Sequence, residues 1–129
     1  MEITRSSLDT AAGPSDWFTG AVYIDPVAAV SGASRVSASN VHFTPGARTH
    51  WHTHAIGQVL YVTHGAGFVR RRDGVGGPIR AGDVVHIAGG EEHWHGAAPD
   101  SYLLHVAISL GAADWLHAVT DDEYAEAAG

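Results

Sequence analysis

Short apolar runs separated by glycine and proline set the rhythm of this chain. Val, Ile, Tyr, Phe and Thr gather in 20–24, 35–43, 48–54, 57–64, 66–72, 83–88, 92–97 and 101–109. Turn formers fall between them: Pro26, Gly32, Pro45-Gly46, Gly65, Gly74 through Pro78, Gly82, Gly89-Gly90 and Pro99. Runs of this length and composition predict strands, and many short strands at regular spacing predict an all-β sandwich or barrel. The ends read differently. Residues 1–19 carry no period and predict irregular chain, with Trp17 and Phe18 tucked onto the domain or a partner subunit. In 112–127, Trp115, Leu116, Val119 and Tyr124 recur at roughly helical spacing. They predict one or two helical turns on the outside of the barrel, ending in an acidic tail. With no linker and no repeat, 1–129 reads as a single domain.

Alternation within the strands then sorts side chains by face. Over 48–54 it sets His50, His52 and His54 on one side and Trp51 and Thr53 on the other. Gln58, Leu60, Val62 and His64 share a face of the next strand. His93 and His95 lie opposite Trp94. His105 shares a face with Leu103 and Ala107, while Tyr102, Leu104, Val106 and Ile108 form an opposite face that reads as fully buried. If the strands close into a barrel, His52, His54, Gln58 and His93 converge inside it. Imidazole nitrogens with an amide oxygen suit one divalent transition metal ion: Mn, Fe, Co, Ni or Zn. Phe43, Leu60, Val62 and Leu103 predict an apolar wall for a small molecule, with Thr49 and Ser39 supplying hydroxyls near it. Trp51 and Trp94 read as outer core or subunit interface. His50 reads as rim, and His42, His64, His86 and His117 as structural or surface residues.

Composition narrows the chemistry. A chain of 129 residues with 45% hydrophobic content can bury one core. It has no cysteine, which excludes disulfides, thiolate ligands and a cysteine nucleophile. All seven basic residues are arginines, so Schiff-base chemistry by a lysine side chain is excluded. The net charge of −7 disfavours nucleic acid, which needs clustered positive charge. Arg70, Arg71 and Arg72 read as an exposed strand end and turn. MEITRSSLDT holds no apolar signal segment, and no stretch approaches the ~20 apolar residues of a membrane span, so a soluble, cytoplasmic protein is expected. The apolar face at 102–108 and the N-terminal aromatics predict a homodimer.

The histidine spacings carry a family resemblance. The chain resembles the cupins, whose first motif (glycine, five residues, HxH, three or four residues, glutamate, six residues, glycine) aligns with Gly46, His52, His54, Gln58 and Gly65. The second cupin motif aligns with Gly82, Ala88, Gly90, His93 and Ala97. This covers about 35–110 and implies a jelly-roll barrel with a short C-terminal helical segment. Gln58 stands where cupins usually have glutamate, Ala88 where they have proline, and Ala97 where they have asparagine. A neutral amide leaves the metal's double charge whole where a carboxylate would cancel part of it, so an anion or alkoxide is better stabilised. DWFTG (16–20), PGARTHWHTHAIGQ (45–58), GEEHWHGAAP (90–99) and TDDEY (120–124) are similar to small bacterial monocupins of the hydroxynitrile lyase type. That resemblance implies a metal-dependent lyase that cleaves or forms cyanohydrins. It also implies that His105 takes the substrate proton and that His95 serves the departing cyanide. The same ligands would suit a cupin dioxygenase, a polyketide cyclase or isomerase, or a non-catalytic small-molecule binder.

Overall fold

The computed structural model describes residues 1, 3–5, 9–30 and 35–129; Gly32 and part of the segment 1–19 lie outside this set. Among the described residues the strands are β1 (Ala11–Ala12), β2 (Phe18–Thr19), β3 (Val22–Val30), β4 (Val36–Phe43), β5 (Arg48–Thr49), β6 (His52–His54), β7 (Gly57–Arg71), β8 (Gly76–Arg80), β9 (Val84–Ala88), β10 (His93–Ala97), β11 (Leu103–Leu110) and β12 (Ala113–Trp115). One helix, α1 (Asp121–Ala128), follows them. No helix among these residues is long and apolar enough to cross a membrane.

Two antiparallel sheets share one long strand. The first runs β1-β3-β4-β11-β7 with β9 on the first half of β7. The second sets β10 and β8 against the second half of β7, with β5 and β6 on β10, β2 on β5 and β12 on β6. The predicted strands 57–64 and 66–72 are thus one strand, bent at Gly65. There φ is +82°, and a Cβ would sit 1.9 Å from the Tyr102 carbonyl oxygen, so only glycine fits the corner. The predicted strand 48–54 is instead two pieces, broken at His50 and Trp51 as β10 exchanges β5 for β6. β8 falls in a stretch whose glycines and proline read as a turn.

Register turns the inner surface into stacked rows. Leu103 pairs Phe43 and lies across from Gly65; His105 pairs Val41 and Val62. Ala107 pairs Ser39 and Leu60, and Ser109 pairs Ser37 and Gln58. Each row lies two residues, or about 7 Å, above the last. Phe43, Leu60, Val62 and Leu103 are buried with Phe18, Val22 and Ile87 in one cluster. Burying each such side chain contributes about 1.5–3 kcal/mol.

A second cluster lies outside the barrel wall. Trp51, Trp94, Val119 and Ala127 are buried there, with Phe68 and Tyr124 packed against them. α1 covers this patch. Thr120 caps it through Glu123 in a reciprocal capping box, and Asp121, Asp122 and Glu123 suit its N-terminal dipole. Arg48 bonds the Asp121 carboxylate (2.8 Å) and the Val119 carbonyl (3.1 Å), and its guanidinium lies 4.5 Å from the Tyr124 ring centre. The predicted one or two helical turns form, but only from Asp121 onward. Residues 113–115 form β12 because the free edge of β6 offers hydrogen bonds that a helix at this point would forgo.

The outward face of β11 departs from its predicted burial. Tyr102 is 48% exposed and Ile108 36%, and Leu104 and Val106 are half-buried. Alternation placed them opposite the core correctly, but among the described residues nothing packs over that side.

Candidate metal centre

Backbone carbonyls fix two of the histidine rings. His52 Nδ1 donates to the His50 carbonyl (2.9 Å), and His93 Nδ1 donates to the Glu91 carbonyl (2.8 Å). Both rings therefore turn a bare Nε2 inward. His52 and His93 are register partners on β6 and β10, with ring centres 4.2 Å apart. Gln58 enters from β7: its amide nitrogen donates to Ser109 Oγ (3.1 Å), which leaves Oε1 3.2 Å from His93 Nε2. With the His93 proton on Nδ1, two lone pairs face each other across that gap. His54 is buried, its ring centre 5.0 Å from that of His52, and neither of its ring nitrogens has a hydrogen-bond partner.

Facing lone pairs and unpartnered buried nitrogens cost free energy unless a cation sits among them. The donor set of imidazole nitrogens and one amide oxygen fits a divalent transition ion. The ligating atoms of His52, His93 and His95 also lie within 4.8 Å of one another. The structure thus brings together His52, His54, Gln58 and His93, and adds His95 at their side.

His95 and His105 form a second pair, with His95 Nδ1 3.0 Å from His105 Nε2. The His95 backbone N–H donates to Thr49 Oγ1 (3.2 Å). His95 lines the cavity above the core; His105 does not. Its row is that of Val41, which lines the cavity, and Val62, which is buried in the core. His95, which lines the cavity, is the residue bonded to His105. His95 Nε2 and His105 Nδ1 have no partner.

Burial pushes all these rings toward neutrality. Loss of water, and then the neighbouring imidazoles, hold His52 and His95 well below the usual histidine value. The same causes put His54 at about 4, burial alone puts His105 at about 4, and burial lowers His93. Neutral imidazole is the form that binds a metal or accepts a proton.

The cavity has a volume of about 330 Å³. Phe43, Leu60, Val62 and Leu103 are buried in the core cluster, because inward-facing positions fill the closed end of a barrel as well as its open end. The apolar wall is Trp17, Phe18, Ile24, Val41 and Trp115, and the polar wall includes Ser37, Ser39 and Ser109. Trp115 stacks on His52 (4.4 Å, 26°) and on Trp17 (5.1 Å, 10°). Sequence reasoning missed Trp115 because its spacing looked helical. The signal available was its place soon after a strand, opposite a ligand strand with a free edge. His50 is half-buried at the break before β6, and His64 and His86 are exposed. His64 leaves the face of Gln58 because Thr63 bulges out of the pairing with β11. His117 is exposed, and His42 pairs with Asp25 (2.8 Å).

The chain is similar to known proteins. The cupin domain family matches residues 39–108. An (R)-mandelonitrile lyase from Granulicella tundricola is 47% identical over 96% of this chain and 98% of its own. The crystal structure of a cupin-like protein from Thermotoga maritima superposes with a TM-score of 0.83 at 43% identity, covering 97% of this chain and 95% of that one. A polyketide cyclase from Streptomyces resistomycificus shares the fold (TM-score 0.66, 17% identity, 96% and 89% covered).

Proposed function

The chain belongs to the cupin family, and from that premise we propose that it is a metal-dependent lyase that reversibly cleaves cyanohydrins to an aldehyde and hydrogen cyanide. The observation that carries this reading is His95, whose Nε2 has no hydrogen-bond partner, on the wall of the cavity that His52, His54 and Gln58 also line, with His93 beside Gln58. The 47% identical (R)-mandelonitrile lyase supports the reaction class. His52, His54, His93 and Gln58 would hold the ion, which supplies Lewis-acid chemistry by lowering the pKa of a hydroxyl beside it.

The protein's own groups do the rest. When His95 Nδ1 donates to His105 Nε2, His95 Nε2 is a bare acceptor facing the substrate. It takes the hydroxyl proton as the carbon–oxygen double bond forms and the carbon–cyanide bond breaks with its electron pair. The same proton then passes to cyanide, and hydrogen cyanide leaves with the aldehyde. His105 positions His95 and sets its tautomer. Trp17 and Trp115 would seat an aromatic substituent. Synthesis runs the same steps in reverse.

Elemental analysis of the purified protein tests the centre. About one equivalent of a transition metal is expected in the wild type, and none in a His52→Ala/His54→Ala variant that also loses turnover. A wild type that neither carries nor takes up metal would sink the proposal. Oxygen consumption coupled to turnover would instead assign a dioxygenase.

We also propose a cytoplasmic homodimer closed over the outward face of β11 and β7, where Tyr61, Tyr102 and Ile108 are exposed. A free sheet face of this kind costs solvation free energy, and a twofold axis covers it twice. Sedimentation equilibrium showing only monomer ends that part of the reading.

A further inference from the structure

The cavity wall carries one charged side chain among the described residues, and it is a cation. The chain holds 14 acidic residues against 7 arginines, yet Arg35 lines the cavity and no Asp or Glu does. Arg35 is exposed at the mouth, and its carbonyl accepts from the Gly111 N–H (2.8 Å), which ties its backbone to the end of β11. Arg48, Arg71 and Arg72 each hold a carboxylate, whereas among the described residues none lies within ion-pair distance of Arg35.

Strand period aims it inward. Arg35, Ser37, Ser39 and Val41 occupy alternate positions and all line the cavity. This wall therefore grades from a cation at the mouth, through two hydroxyls, to a methyl-bearing surface at depth. Ser37 lies in the row of Ser109 and Gln58, so Arg35 stands one step, about 7 Å, further along the strand from the histidine level. Trp17 and Trp115 lie stacked on another part of the wall at an interplanar angle of 10°. A protein with net charge −7 repels anions in general. A cavity with no carboxylate, and one guanidinium that has no ion-pair partner among the described residues, makes a local exception, and Gln58 in place of an acid extends it to the donor set.

We infer that the cavity is built for an anionic aryl compound. Its acid group meets Arg35, its ring lies on the Trp17 and Trp115 wall, and its reacting oxygen reaches the histidine end. The inference deepens the lyase proposal, on which it rests for the chemistry at that end. The guanidinium reads a carboxylate by paired hydrogen bonds, and the distance along β4 calls for an acid group on the far side of the ring from the reacting carbon.

Calorimetric titration of the metal-replete protein with 4-formylbenzoate and with benzaldehyde tests this without turnover. The wild type is expected to bind the carboxylated aldehyde about ten-fold more tightly or better, ten-fold being equivalent to 1.4 kcal/mol. In Arg35→Gln the ratio of the two affinities falls to near one, and Arg35→Lys restores part of it. A wild type that does not prefer the carboxylate, or a preference that survives Arg35→Gln, overturns the inference. Mandelonitrile formation from benzaldehyde and hydrogen cyanide, measured on the same samples, tests the lyase reading separately. Absent turnover with the charge preference intact removes the lyase and keeps the anion site.

Discussion

Strands β6 and β10, with the residue that precedes β6, carry opposite chemistry on their two faces. Inward, His52, His54, His93 and His95 form a buried polar array in which His54 and His95 keep unpartnered nitrogens. Outward, Trp51 and Trp94 are buried in an aromatic patch under α1, where Arg72 lies 3.8 Å from the Trp51 ring centre and Trp51 Nε1 donates to Glu123 (3.5 Å). The inner face costs free energy in the absence of a cation; the outer face contributes it. One period-two alternation thus builds both a site and the packing that offsets it. If this division holds, changes on the outer face alter stability and leave metal binding per folded molecule intact. Changes on the inner face alter metal affinity or acid sensitivity and leave neutral-pH stability nearly intact.

The outer face offers the largest effect. Trp94 is 1% exposed, and Trp94→Ala should destabilise the protein by about 3–5 kcal/mol, the usual cost of emptying so large a site. Urea unfolding measures this, and the metal content of the remaining folded fraction should stay at the wild-type ratio. A stable variant that has lost its metal would break the division between the faces.

Acid attacks the inner face. His105 sits at about 4 against 6.5 for a free imidazole, because burial strips its water. The unfolded chain therefore binds the proton first as pH falls. His105's contribution is full above pH 6.5 and is lost progressively as pH drops from there toward 4. One such group costs about 3 kcal/mol over that window, and His54 and His95 move in the same direction. Thermal melts of chelator-treated protein should show a midpoint that falls steadily over this range. His105→Leu should flatten part of the decline, and an unchanged slope would remove His105 as its source.

How legible this was in the sequence depends on which interaction decides each residue. Period-two alternation is a local rule, so His52, His54, Gln58, His93 and His95 could be assigned to one interior from spacing alone, and the strands 35–43, 83–88 and 92–97 appear within two residues of their predicted ends. Depth along the barrel is not local. His105 and Leu103 share the face that alternation predicts, but only the pairing of β11 with β4 and β7 sets His105 in the row of Val41 and Leu103 one row deeper, beside Phe43. The Thr63 bulge, which sends His64 outward, is set by two strands at once. Trp115 was read as helical because a few apolar positions cannot distinguish a helix from an edge strand, and the free edge of β6 made the choice.

The smallest effect sharpens the comparison most, because it lies inside the inner face and spares every donor atom. Ser109 Oγ accepts from the Gln58 amide nitrogen (3.1 Å), and that contact turns Oε1 toward His93. Ser109→Ala removes the anchor, lets the amide rotate and presents an N–H to the ion in part of the population. Groups that orient a ligand in this way commonly contribute about 10–100-fold in metal affinity. Competition with a chromophoric chelator should find a loss in that range, while urea unfolding of the metal-free variant stays within about 1 kcal/mol of wild type. Ser109→Thr, which keeps the hydroxyl, should recover most of the affinity. If Ser109→Ala binds metal as tightly as the wild type, Gln58 is either held by something other than Ser109 or does not ligate, and a Gln58→Ala titration separates the two.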